Sequence, residues 1–130
     1  MYFHQILEQV AEFQNATDQI VNHEPSLIST KEANLRYELM AEENKEYFTA
    51  CISKDKVEIL DACVDMLYIL AGTINSNGLQ ELIEPAFNLV HLNNMTKVGS
   101  DGKVLRDPNG KILKPEGFKP VNLKQLFKDK

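Results

Sequence analysis

The sequence predicts an all-α protein, a bundle of four to five helices followed by a small C-terminal β-hairpin and an extended tail. Apolar residues recur at spacings of three and four along most of residues 2–92, the period of a helix. Helix start signals precede two of the longest stretches. Beyond residue 93 this periodicity stops, and two near copies, Asp101-Gly-Lys-Val-Leu-Arg106 and Asn109-Gly-Lys-Ile-Leu-Lys114, flank Asp107-Pro108.

The first helix is expected within residues 2–21, where Phe3, Ile6, Leu7, Val10 and Phe13 form one stripe. His4 lies beside that stripe, a setting for a surface or cap residue rather than a ligand. Residues 22–29 form a linker that contains His23 and is broken by Pro25. Ser29 and Glu32 make a capping box, so a second helix starts there and runs to about Ile52. Asp55 caps a third helix, from Lys56 to Asn75 or Ser76, and Gly78 suits the left-handed position that ends it. The connection between these two helices is short, which makes them antiparallel neighbours.

A fourth helix is expected from Leu79 to Leu92, with Leu82, Ile83, Phe87 and Val90 inward and Pro85 kinking it or marking a restart. The short apolar pairs around Asp107-Pro108-Asn109-Gly110 read as a β-hairpin. Phe118 to Lys130 reads as a packed tail ending in a short helical turn.

A chain of 130 residues is long enough for one core. The expected organisation is a helical domain over residues 1–96, with a basic hairpin and tail over residues 97–130 packed on it. Residues 1–96 carry five Lys/Arg against fifteen Asp/Glu, and residues 97–130 carry nine against four. That asymmetry suits a site with a metal at one end and phosphate at the other, but charge alone favours a tail that covers the acidic body and balances its charge. The N-terminus lacks the pattern of a signal peptide, and no apolar run has the length of a membrane span. Cys51 and Cys63 have no motif spacing and are expected to stay reduced, in a cytoplasmic protein.

The chemistry is concentrated in carboxylates. Glu43 and Glu46 share a face of the second helix, and Glu58, Asp61 and Asp65 share a face of the third. They fall on stripes with Leu35, Leu39 and Ala50, and with Val57, Val64 and Tyr68, which are otherwise core-directed. Acids drawn together on such faces repel one another and resist desolvation, and a hard divalent cation removes both problems. Glu42 lies off the stripe, with Lys45 three residues on, and reads as solvated surface. No histidine stands three residues beyond any of the clustered acids, which points to all-oxygen ligation of Mg²⁺ or Mn²⁺ rather than iron or zinc. No glycine-rich phosphate loop, dinucleotide fingerprint, Cys/His cluster or nucleophile elbow is present.

The stretch from Leu35-Arg36-Tyr37-Glu38-Leu39 through Glu43-Asn44-Lys45-Glu46, with Asp61 to Tyr68, resembles the all-α nucleoside triphosphate pyrophosphohydrolase superfamily. That group includes MazG-like proteins, dimeric dUTPases and phosphoribosyl-ATP pyrophosphohydrolases. Its signature is Glu-x-x-Glu, a spacer, then Glu-x-x-Asp on the next helix. Val90 to Lys97, with the two Gly-Lys segments, is similar to a phosphoribosyl-ATP pyrophosphohydrolase-like branch. The resemblance covers roughly residues 7–120 and implies a MazG-like bundle.

The resemblance makes Glu43 and Glu46 the first two metal ligands and Asp65 the last. It places an acid at position 62, where this chain has Ala62, so Asp61 is the expected substitute. The alternative frame uses Glu58 and Asp61, with Glu58 otherwise an outer or alternative ligand. It implies Mg²⁺-dependent attack of water on the α-phosphorus of a nucleotide, releasing pyrophosphate, with Glu43 or Glu46 as the base. Asn93 and Asn94 are expected at base or ribose, the competing reading being a helix cap. Lys97, Arg106, Lys111 and Lys114 are expected to offset phosphate charge. Val57, Val64, Leu67 and the fourth-helix stripe suggest a homodimer or homotetramer, with a small-molecule nucleotide as partner and neither a nucleic acid polymer nor a membrane. The rival readings are a non-catalytic nucleotide- or metal-binding regulator on the same scaffold, kept open by Ala62, and a helical dimerisation module with an acidic groove. The base and sugar stay open at this level.

Overall fold

The fold is set by where four helices start and stop, and a computed structural model describes residues 1–127 of the chain. The helices are α1 (Phe3–Ala16), α2 (Thr30–Ile52), α3 (Lys56–Ser76) and α4 (Ile83–Met95), followed by a 3₁₀ turn at Lys124–Phe127. They fall into two compact units, Met1–Glu81 and Leu82–Lys130. The last three residues of the expected C-terminal tail lie outside the described residues.

In the first unit, α1 covers the whole apolar stripe but ends at Ala16, short of the expected range of residues 2–21. Thr17 turns its hydroxyl back to the Phe13 carbonyl (2.8 Å), and Asp18 takes a left-handed φ of 59° that a helix cannot continue through. Helix α2 opens on Ser29, whose Oγ accepts from the Glu32 N–H (3.1 Å) while Glu32 accepts from the Ser29 N–H (3.2 Å). Helix α3 opens on Asp55, which accepts from the N–H groups of Val57 and Glu58 (both 3.1 Å). Only residues 53–55 separate α2 from α3. Arg36 meets Ile69 and Thr73, and farther along α2 Glu43 meets Asp65, so the helices run antiparallel.

The apolar core of this unit is small: Leu7 and Val10 from α1, Ala50 from α2, and Ala62, Ala71 and Ile74 from α3. Polar side chains complete it. Asn75 donates to the Leu7 carbonyl (2.9 Å) and to Gln14 Oε1 (3.0 Å), while Gln14 donates to the Gly72 carbonyl (3.0 Å) and Ser76 Oγ (3.2 Å). Each buried amide is satisfied, which is the condition for keeping it inside. The segment after α1 is tied to the end of α3 by Asn22 N–H to the Asn75 carbonyl and Ser26 N–H to the Asn77 carbonyl.

In the second unit, α4 begins at Ile83, not Leu79. The Leu79 N–H is spent on the Ile74 carbonyl, at the close of α3, and the Gln80 side-chain amide on the Asn22 carbonyl, in the segment after α1. Pro85 lies in the first turn of α4, where its missing N–H has no helical partner to lose.

The expected C-terminal β-hairpin is not formed. No β-strand occurs among the described residues, and the Gly-Lys copies meet only through an isolated antiparallel bridge between Arg106 and Ile112. Local turns consume the backbone groups a ladder needs. Asp107 accepts from the N–H groups of Asn109 (2.8 Å) and Lys111 (2.9 Å), and Asp101 from that of Lys103 (2.9 Å). Short polar side chains that bond nearby backbone compete with strand pairing in this way.

Candidate metal and nucleotide site

The α2–α3 pairing brings one carboxylate oxygen from each of Glu43, Glu46 and Asp65 within 4.8 Å of one another. Glu43 and Glu46 are one helical turn apart, and the antiparallel register lays Asp65 against them. Glu43 and Asp65 are half-buried and Glu46 is exposed. Asp61 and Glu58 are exposed and stand outside this mutual set, although the charge of Asp61 is felt at Glu43. Glu46, Glu58 and Asp61 line one groove of about 420 Å³ with Lys45 and Asp55. Ala62, at the position where the resemblance called for an acid, is buried.

Exposed acids cluster on many proteins without binding anything; Glu43 is the exception to that explanation. Its Oε2 is buried and has no hydrogen-bond partner. Desolvation, then the charges of Asp65 and Glu46, a shared hydrogen bond with Glu46, and lastly Asp61 push its carboxyl up to about 7. A buried oxygen with no donor, facing two further carboxylates, fits a divalent cation, whose oxygen-only ligation would satisfy all three. Glu43, Glu46 and Asp65 would hold it.

A second feature lies next to this cluster. One turn before Glu43 on α2 is Leu39, and three residues after Asp65 on α3 is Tyr68; both line a cavity of about 220 Å³ with Val10, Phe13, Gln14 and Arg36. Phe13 and Tyr68 meet edge to face, with ring centroids 5.8 Å apart. Arg36 donates to Ile69 O (2.6 Å), Thr73 Oγ1 (3.0 Å) and Gln19 Oε1 (3.1 Å). Burial pushes its pKa down. Sequence reasoning gave Arg36 no role, although a cation between Leu35 and Leu39 was the available signal.

The other expected site residues lie in the second unit. Lys97 and Lys114 sit over the Phe118 ring, at 5.5 and 6.0 Å from its centroid. With its amide turned to suit its neighbours, Asn93 donates to the Lys119 carbonyl (3.0 Å) and accepts from the Val121 N–H (3.3 Å). Arg106 donates to the Gly110 carbonyl (3.0 Å). Asn94, Arg106, Lys111 and Lys114 are exposed.

Acids paired across two antiparallel helices of an all-α chain form a cluster that could coordinate a divalent metal. Residues 10–94 match the family model described as phosphoribosyl-ATP pyrophosphohydrolase, and the chain belongs to that family, within the MazG-like superfamily. Both the acidic cluster and the cavity fall inside the matched span. Family membership and the cluster together support hydrolase activity of the pyrophosphohydrolase type. No curated protein matches the chain.

Proposed function

We propose that the protein is a Mg²⁺-dependent nucleoside triphosphate pyrophosphohydrolase that cleaves between the α- and β-phosphates. The observation that carries this reading is the buried, unpartnered Oε2 of Glu43 beside Glu46 and Asp65, in a chain of the pyrophosphohydrolase family. A divalent cation held there supplies neutralisation of phosphate charge and a water of lowered pKa. The chain's own groups do the rest. Glu43 or Glu46 accepts a proton from the attacking water, whose oxygen bonds to the α-phosphorus as the α–β anhydride bond breaks. The products are a nucleoside monophosphate and pyrophosphate. Mn²⁺ would satisfy the same oxygen ligands.

Lys97, Arg106, Lys111 and Lys114 are proposed to offset phosphate charge, and Asn93 and Asn94 to contact base or ribose. The bonds of Asn93 to Lys119 and Val121 favour a structural duty for it as well. We further propose a cytoplasmic protein that forms a homodimer or homotetramer, the oligomer being supported by apolar residues exposed along α3.

The test is pyrophosphate release from a panel of ribo- and deoxynucleoside triphosphates and phosphoribosyl-ATP, with and without Mg²⁺, wild type beside Glu46→Gln. Metal-dependent release that disappears in the variant is expected. Binding of Mg²⁺ and nucleotide without any release would favour a regulator on this scaffold, the reading that buried Ala62 supports.

A further inference from the structure

We propose that the cavity bounded by Phe13, Arg36 and Tyr68 receives the base of the nucleotide, and that Arg36 selects bases carrying an oxo group at the position where cytosine and adenine carry their exocyclic amino group. This inference rests on reading the carboxylate cluster as the phosphate end of the site. A guanidinium has five N–H donors. Three of Arg36's are spent, on Ile69 O, Thr73 Oγ1 and Gln19 Oε1, and no carboxylate is among these partners. Two donors therefore remain on a side chain that lines an open cavity. Stapling α2 to α3, and to Gln19 in the segment after α1, accounts for the three bonds and leaves the cavity unexplained.

The site is built by residues from three helices. A Cβ on Gly72 would lie 2.6 Å from Arg36 Nη2 and 3.3 Å from Gln14 Nε2, so glycine there lets the guanidinium lie against the α3 backbone. Gln14 spends its amide donors on Gly72 O and Ser76 Oγ, which leaves Arg36, Gln19 and the Tyr68 hydroxyl as donors lining the cavity, and of these Arg36 carries the charge. Val10, Leu39 and the Phe13–Tyr68 pair supply apolar and aromatic wall. A volume of about 220 Å³ falls below the roughly 300–1,000 Å³ of pockets for drug-sized ligands. It suits one planar ring system with an acceptor at its edge.

Position completes the argument. Leu39 and Tyr68 stand four and three residues from Glu43 and Asp65, a rise of roughly 4.5–6 Å along the helices. That separation is the width of a sugar. A nucleotide with its phosphates at the acids would therefore bring its base to this cavity.

The test is calorimetric, with excess Mg²⁺, and uses inorganic tripolyphosphate beside α,β-imido analogues that cannot be hydrolysed. The analogue pairs are dUTP with dCTP and dITP with dATP, each differing by oxo for amino. Wild type is expected to bind the oxo member at least about tenfold tighter than the amino member, the scale of one charge-assisted hydrogen bond. Arg36→Gln should erase that ratio and leave tripolyphosphate affinity unchanged. Equal affinity within the pairs overturns the proposal on the wild type alone, whatever the variant does. An Arg36→Gln variant that loses tripolyphosphate and nucleotide in equal proportion also overturns it, because Arg36 would then be a structural staple. Failure of wild type to bind tripolyphosphate with Mg²⁺ would instead sink the reading of the acidic cluster, and this proposal with it.

Discussion

Glu43 on α2 and Asp65 on α3 bring carboxylate oxygens within 4.8 Å of each other, and Glu46 joins them at the same limit. Asp61 and Glu58 do not share that set. The ligand duties should therefore be graded. Asp65→Asn is expected to lower Mg²⁺ affinity by at least about tenfold to a hundredfold, the scale on which support for a bound metal fails. Glu58→Gln should change it little, and Asp61→Asn should fall between. Titration of Mg²⁺ by calorimetry orders the three variants. A larger loss for Glu58→Gln than for Asp65→Asn would favour the alternative ligand frame.

The raised pKa of Glu43 fixes a pH dependence with a definite sign. Folding lifts this carboxyl from 4.5 to about 7, so the folded state holds a proton that the unfolded state has released. The metal-free protein should keep this contribution to stability below about pH 4.5 and lose it as pH rises through about 7. Melting curves of metal-free wild type should show that decline, and Glu43→Gln should flatten it. Mg²⁺ must displace the same proton, so its affinity should rise with pH up to about 7 and level off above.

The second and third helices were legible because their start signals are local. Ser29 with Glu32, and Asp55, act on backbone groups two or three residues away. The same locality exposed Glu43, Glu46 and Asp65, since helical spacing and one short loop suffice to bring them together. Gln14, Arg36 and Asn75 were opaque for the opposite reason. Their burial is compensated by partners 17 to 68 residues away, which no window on the sequence contains. The hairpin reading fails because the pairing of Leu105 with Leu113 and of Arg106 with Ile112 does not extend into strands, Asp101 and Asp107 having claimed nearby backbone donors. Leu79 and Leu82 extended the expected fourth helix backwards because their periodicity does not reveal that Leu79 closes α3.

One stripe of α3 changes environment along its length. Ala71 and Ile74 are 0% and 4% exposed, whereas Val57, Leu60, Val64 and Leu67, at heptad spacing on the same stripe, are 73%, 66%, 52% and 41% exposed. Burying a Val or Leu is worth about 1.5–3 kcal/mol. Four in a row should favour self-association, and light scattering is expected to show a dimer or tetramer at micromolar concentration. Leu60→Glu with Val64→Glu should give a monomer that keeps the helical circular dichroism of α1–α3. A monomeric wild type would remove the support for the proposed oligomer.

Gly78 offers a stability test of the first unit, with Gly102 of the second as its comparison. Its φ is +68°, and an added Cβ would overlap the backbone of Glu24. Two costs therefore coincide at one position. A left-handed φ alone costs a non-glycine residue about 1–2 kcal/mol, and the overlap must additionally push Glu24 away from the end of α3. Neighbouring bonds from Asn22 to Asn75 and from Ser26 to Asn77 hold that segment in place, so it cannot yield without losing them. Gly102 separates the two costs, because its φ of +78° meets nothing within 4 Å of an added Cβ. Gly78→Ala is expected to cost about 2–4 kcal/mol in denaturant melts and Gly102→Ala about 1 kcal/mol. Equal costs would mean that the linker before α2 gives way freely, and that its contacts with the end of α3 contribute little to holding the helices in register.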